Sequence, residues 1–341
     1  MSEAGTGAPA VIDRYDAALF DLDGVVYLGP TAVAGAVDGI AALRSRGARL
    51  GFVTNNAART PARVAEHLRE LGIDAGEDDV VTSSQAAARL LVDRFGPDAR
   101  ILVVGGDGIL SALAEVGLVP VRSADDDPVA VIQGFSFDLT WAQLNEAAIA
   151  IQRGAHWVAT NTDSTRPTDR GIVPGNGAAV DAVRLAVTVD AEVAGKPFRP
   201  LMDVTMARLG AAHPVFVGDR IDTDIAGAAV VGIDSLLVLS GAHGSRELLA
   251  ARPAERPTHL GLDLTALLAP AREVRRVVNR AFCRDMSAVA SNDSIALEMT
   301  PKSLEEAVDA LWAVAQLSWE SQDQSRPLDP DPALQVLDRL L

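Results

Sequence analysis

Leu19-Phe20-Asp21-Leu22-Asp23-Gly24-Val25 is the stretch on which the fold turns. An apolar run enters two aspartates spaced i, i+2, with glycine directly behind them. On a strand such positions point the same way, so the two carboxylates converge if the strand ends there. Two carboxylates about 4 Å apart repel by roughly 4 kcal/mol at an effective dielectric near 20. A cation or a shared proton would relieve that cost, which points to chemistry at the edge of a sheet. The plainer alternative is a solvated Asp-Gly turn.

Working outward, strand and helix signals alternate. Residues 17–20 read as a buried strand, 34–45 as a helix ended by Gly47, and 49–53 as a second strand. Thr60 then caps a helix with Pro61 at its first position, the usual start signal. A second alternating region runs from residue 85 to about 187, with strands at 101–104, 129–133 and 157–159 and an apparent loop at 161–177. The first pattern resumes with a helix at 200–209, a strand at 215–217, a helix at 224–231 and a strand at 236–239. This is the signature of α/β architecture, a doubly wound parallel sheet interrupted by an inserted α/β domain. The spacing predicts a core domain of residues 13–82 and 190–261, an inserted domain of 83–189, and a C-terminal extension of 262–341 without a recognisable role. Its only clear element is a capped helix at 303–319.

Composition narrows the partners. The chain has 341 residues, 48% of them hydrophobic, enough for two buried cores. A net charge of −16 argues against a nucleic-acid partner. The single cysteine, Cys283, fits a reducing compartment. Residues 1–10 carry neither a basic start nor an apolar run, and the apolar stretch 225–239 is broken by Gly227, Gly232 and Asp234. The expectation is a cytoplasmic protein with no membrane partner.

Three further segments follow strand-like runs. Val53-Thr54-Asn55-Asn56 places a hydroxyl and two amides where loop N–H groups can hold an oxyanion, or where they simply cap a turn. Gly195-Lys196-Pro197 carries one of only two lysines in the chain, directly before a helix whose N-terminus adds partial positive charge. Phe216-Val217-Gly218-Asp219 runs into Asp222 and Asp224. Acids at a helix start are ordinary caps, but Asp219 stands at the strand end, where open parallel sheets place ligands. Taken together, Asp21, Asp23, Asp219 and Asp224 suit a hard dication such as Mg²⁺, and Thr54, Asn55, Asn56 and Lys196 suit a phosphate. The five histidines have no zinc-site spacing, and no Gly-x-Ser-x-Gly element occurs.

The order Asp21-x-Asp23-Gly24, Thr54-Asn55-Asn56, Gly195-Lys196-Pro197 and Gly218-Asp219 through Asp224 resembles the haloacid dehalogenase (HAD) superfamily. The long insert resembles the branch with a large C2-type cap, the NagD-like and p-nitrophenylphosphatase-like enzymes. That resemblance implies that Asp21 is the nucleophile and Asp23 the general acid and base. It also implies Mg²⁺ held by Asp21, the Asp23 carbonyl, Asp219 and Asp224, with Thr54, Asn55 and Lys196 steadying the phosphoryl group. Thr160-Asn161-Thr162-Asp163 and Pro174-Gly175-Asn176-Gly177 are similar to the family's cap loop, although Thr162 and Arg166 depart from its usual residues. Asn161, Asp163 and Arg166 are expected to face the substrate.

The implied activity is hydrolysis of a small phosphorylated metabolite, glycerol 3-phosphate first and 2-phosphoglycolate next. Pyridoxal phosphate, sugar phosphates and nucleoside monophosphates stay open, as does self-association through the cap or the C-terminal module. A reading of another class is a phosphometabolite sensor signalling through that module.

Overall fold

The computed structural model describes residues 8–168 and 170–341. The chain forms two compact units, one of Met1–Arg49 with His213–Leu341 and one of Leu50–Ala212. These divisions fall at 49/50 and 212/213, so the helix Pro61–Glu70, the strand Val80–Thr82 and the helix Arg199–Leu209 lie with the inserted sheet.

In the first unit, Ala17–Phe20 pairs in parallel with Pro214–Gly218, which pairs with Asp234–Val238, which in turn pairs with His259–Gly261. The first two of these strands are buried at every position. Apolar residues on both faces mark strands covered by helices on each side, as a parallel sheet requires. The register sets Leu19 beside Phe216 and Phe20 beside Val217, so two acid-bearing segments leave the same edge of the sheet.

The C-terminal residues belong to this unit. Val274–Val277, Arg280–Cys283, Met286–Ser291 and Ser294–Leu297 form a four-stranded antiparallel sheet in sequential order. The helix Leu304–Asp323, with Ser303 as its N-cap, packs on it. A single hydrophobic cluster joins Ile221, Leu237, Leu248 and Leu260 of the parallel sheet region to Cys283, Leu311, Trp312 and Trp319. Residues 262–341 thus supply part of this unit's core.

In the second unit, Phe52, Val53 and Thr54 of the strand Arg49–Thr54 pair in parallel with Val80–Thr82. A separate five-stranded parallel sheet has the order Glu192–Val193, His156–Ala159, Ala130–Gln133, Arg100–Val104, Val119–Val121. Threonine hydroxyls cap three helices, at Thr60 and Thr140 as expected and at Thr82, which starts at Ser83 the helix expected from residue 85. The hydroxyls of Thr60, Thr82 and Thr140 accept the N–H groups of Arg63, Gln85 and Gln143. Trp157, the largest fully buried side chain, donates its indole N–H to Gln133 Oε1 at 3.1 Å.

Two local expectations change. Residues 161–177 are not one loop, because Thr165–Thr168 pairs with Gly171–Pro174 as an antiparallel hairpin. The β-branched Thr165, Ile172 and Val173 favour strand there. The helix expected to begin at Asp224 is preceded by a π-helical turn, Ile221–Ile225, and the α-helix runs Ala226–Val231. Among the described residues, no helix is long and apolar enough to cross a membrane.

Candidate active site

In the first unit the strand Ala17–Phe20 ends at Asp21, whose N–H still donates to Val217 O at 2.9 Å. The chain then folds over tightly, with the N–H groups of Val26 and Tyr27 both donating to Leu22 O. Gly24 holds φ +89°, a conformation that costs glycine least. Asp21, Asp219 and Asp224 are all buried, and each offers a carboxylate oxygen within 4.8 Å of the others. Asp23 is exposed and stands outside this group of three.

The loop after the strand Pro214–Gly218 holds these acids in place. Asp224 Oδ2 accepts the N–H groups of Asp219 and Arg220 at 3.2 and 3.1 Å. Asp219 Oδ2 accepts Ala242 N–H at 2.6 Å, and Asp219 O accepts His243 N–H. His243 Nδ1 in turn accepts Ile221 N–H at 2.9 Å, which places that ring's own proton on Nε2 when it is neutral. Close bends bring backbone against carboxylate. A Cβ on Gly24 would lie 2.3 Å from Asp219 Oδ2, one on Gly241 2.0 Å from the same atom, and one on Gly218 2.2 Å from Asp224 Cβ.

These residues fit a divalent hard cation. At 4.8 Å each pair of charges repels by roughly 3 kcal/mol at an effective dielectric of 20. The donors are all oxygen, as Mg²⁺ prefers. Glycine at 24, 218 and 241 lets the backbone close directly on the Asp219 and Asp224 side chains.

In the second unit the strand Arg49–Thr54 delivers a different group. Asn55 is its hub: Oδ1 accepts Lys196 N–H at 2.8 Å and Nδ2 donates to Lys196 O at 3.1 Å. The same Nδ2 lies 3.4 Å from both carboxylate oxygens of Asp163. Asn55 O accepts Asn161 Nδ2 and Ser83 Oγ, each at 2.7 Å. Asn161 is held by Asn176, whose Nδ2 donates to Asn161 O at 2.7 Å. The approach requires glycine at 195, where a Cβ would sit 2.5 Å from Thr160 O. Lys196 and Thr54 are buried, each 3% exposed.

Asn56 is exposed, and its Oδ1 accepts Ala58 N–H while its own N–H donates to Thr54 Oγ1. It shapes the turn that presents Thr54 and Asn55. Arg166 lies on the hairpin, its guanidinium carbon 4.6 Å from the Phe135 ring centre and 5.1 Å from that of Phe137.

Of the residues singled out in the sequence, Asp21, Asp219 and Asp224 lie together, and separately Asn55 meets Lys196, Asn161 and Asp163. Sequence reasoning missed Ser83, Gly241, His243, Phe135 and Phe137. Ser83 falls just ahead of the helix expected from residue 85, and a glycine or histidine more than twenty residues beyond Asp219 carries no local signal of its contact.

A haloacid dehalogenase-like hydrolase family model matches residues 18–119, and a HAD-hydrolase-like model matches residues 193–267. The chain is 47% identical over 258 residues to the D-glycerol 3-phosphate phosphatase of Mycobacterium tuberculosis, covering 76% of this chain and 72% of that protein. The crystal structure of glycerol phosphate phosphatase from M. tuberculosis in complex with magnesium superposes with a TM-score of 0.82 at 39% identity, covering 94% of each chain. The p-nitrophenyl phosphatase from Archaeoglobus fulgidus gives 0.69 at 26% identity, over 75% of this chain and 98% of that one. The chain belongs to the haloacid dehalogenase-like hydrolase family.

Proposed function

We propose that this protein is a Mg²⁺-dependent phosphomonoesterase whose preferred substrate is glycerol 3-phosphate, with 2-phosphoglycolate next. The observation that carries the reading is the trio of buried carboxylates, Asp21 and Asp219 directly after strands and Asp224 in the π-helical turn that follows. The relative's name gives the substrate its first place. Likeness to phosphatases across both catalytic segments favours an enzyme over a sensor.

An oxygen of the Asp21 carboxylate attacks phosphorus, and the P–O bond to the alcohol breaks. Asp23, exposed and two residues on, gives its proton to the departing alkoxide. The carboxylate so formed then takes a proton from water. The water oxygen attacks phosphorus, and the bond to Asp21 breaks to release inorganic phosphate. Asp21, Asp219 and Asp224 would hold Mg²⁺, which would supply positive charge and Lewis acidity for the phosphoryl transfer. Thr54, the Asn55 N–H and Lys196 hold the phosphoryl group, with Asn56 fixing their turn and Asn55 fixing the lysine's backbone. Asn161, Asp163 and Arg166 meet the rest of the substrate.

In this reading residues 13–82 and 190–261 are the catalytic core, 83–189 a C2-type cap, and 262–341 a stabilising extension. The protein works in the cytoplasm, where Cys283, buried and with its thiol pushed up to about 12, stays a reduced core residue. Self-association through the cap or the extension is read by a solution mass measurement.

The test is phosphate release from glycerol 3-phosphate with Mg²⁺ and with the metal chelated. Turnover that disappears on chelation and returns with Mg²⁺ is expected. Release no faster than a blank across a panel of small phosphomonoesters would sink the reading.

A further inference from the structure

Phe135 and Phe137 stand outside every motif above. Phe135 follows the cap strand Ala130–Gln133, and Phe137 is 78% exposed in the loop beyond it. Leaving a phenylalanine that open costs about 2 kcal/mol of unrealised burial. The two rings meet edge to face, 5.1 Å between centres at 86°. Arg166 covers both of them at 4.6 and 5.1 Å, within the range in which a ring face attracts a cation. Arg166 Nε is shielded from solvent and has no hydrogen-bond partner among the described residues.

A buried guanidinium nitrogen without a partner is costly, and two aromatic faces are the compensation present. They fix the plane of the guanidinium while making no claim on its N–H groups. Arg166 is three residues from Asp163, which Asn55 holds in the second unit. Asn55 also holds the Lys196 backbone.

We infer that Phe135 and Phe137 are positioning residues that make Arg166 a reader of the substrate's non-phosphate end. The ligand class selected is a short phosphoester bearing oxygen acceptors, hydroxyl or carboxylate, on the carbons beyond the ester. The inference rests on the phosphatase reading above. A guanidinium orients its donors in a fixed plane, so a lysine does not substitute for it. An aryl ester such as p-nitrophenyl phosphate, whose ring offers no hydroxyl near the ester, gains nothing from this reader.

The test compares wild type with Phe137→Leu, Phe137→Trp and Phe135→Leu on glycerol 3-phosphate, 2-phosphoglycolate and p-nitrophenyl phosphate. Leucine keeps an apolar side chain without a ring face, while tryptophan keeps the face. Since Phe137 is exposed, its replacement leaves the core intact. Each leucine variant is expected to raise KM for glycerol 3-phosphate by about ten-fold, the size of a partly buried cation–π contact. Its kcat should barely change, and its KM for p-nitrophenyl phosphate should stay level. Phe137→Trp restores the wild-type KM.

Preference between glycerol 3-phosphate and 2-phosphoglycolate tells which acceptor the arginine meets, and a rise in KM for either one supports the assignment. An active wild type whose leucine variants keep the same KM ratio between the polar and aryl esters overturns the reader alone. So does failure of Phe137→Trp to rescue. A wild type inactive on all three esters overturns the phosphatase reading and the reader with it.

Discussion

At the scale of single residues, chemistry was more legible than support. Asp21, Asp219, Asn55 and Lys196 stood out because each follows a strand and carries a group that a plain turn does not need. Their supports were hidden because they lie far away in sequence. Asn176 steadies Asn161 from fifteen residues downstream, and Gly241 makes room for Asp219 from twenty-two. Gly241→Ala puts a methyl 2.0 Å from Asp219 Oδ2 and must displace that carboxylate. We expect at least about ten-fold weaker Mg²⁺ affinity by calorimetric titration, since loss of a supporting contact at a metal site costs ten- to a hundred-fold. Unchanged affinity would mean that Asp219 is no ligand.

A second residue reports on pH. Burial lowers the pKa of His259 below its usual 6.5, and its Nε2 lies 2.8 Å from the Tyr15 hydroxyl. The folded state therefore binds fewer protons than the unfolded state as pH falls past 6.5. Stability present above that value is lost below it. Melting temperature should fall between pH 7.5 and 5.5, and less steeply in His259→Gln. Equal slopes for the two proteins would contradict the assignment.

At the scale of elements, the parallel strands and their helices were readable, since buried runs bounded by Thr caps and Gly stops leave a strong pattern. The antiparallel sheet after residue 273 was not. Its turns place Val278, Arg284 and Asn292 at φ of 47°, 50° and 54°. Only asparagine among these is a usual hairpin residue, and a β-branched valine there is an outlier that sequence pattern argues against. What anchors this sheet to the helix Leu304–Asp323 is Arg272, whose Nε donates to Asp309 at 2.8 Å with both side chains nearly inaccessible. Burial pushes the Asp309 carboxyl up even though Arg272 and Arg284 pull it down, so solvation loss outweighs their attraction. Without Asp309, Arg272 keeps Glu305 and Leu260 O but its Nε loses a buried charged partner. Asp309→Ala should cost about 1.5–3 kcal/mol in a denaturant melt. A change below 1 kcal/mol would show that the pair does not hold the extension.

At the scale of the whole molecule, an α/β protein with an interrupted parallel pattern was visible from strand and helix spacing alone. The part played by residues 262–341 was not, because a shared core is a property of packing. Trp312 and Trp319 meet at 5.5 Å and line one cluster with Leu248 and Leu260. The candidate site was legible as a set of residue types, whereas its glycine cradle and its Asn55 hub emerged only in three dimensions. All of it serves one claim, that Asp21 is transiently phosphorylated during hydrolysis of a small phosphoester. The most direct measurement is steady-state turnover of glycerol 3-phosphate by Asp21→Asn beside wild type, both saturated with Mg²⁺ and both shown folded by their melts. The account predicts a loss in kcat of at least about a thousand-fold, the scale of a missing nucleophile. Turnover within a few-fold of wild type would contradict it.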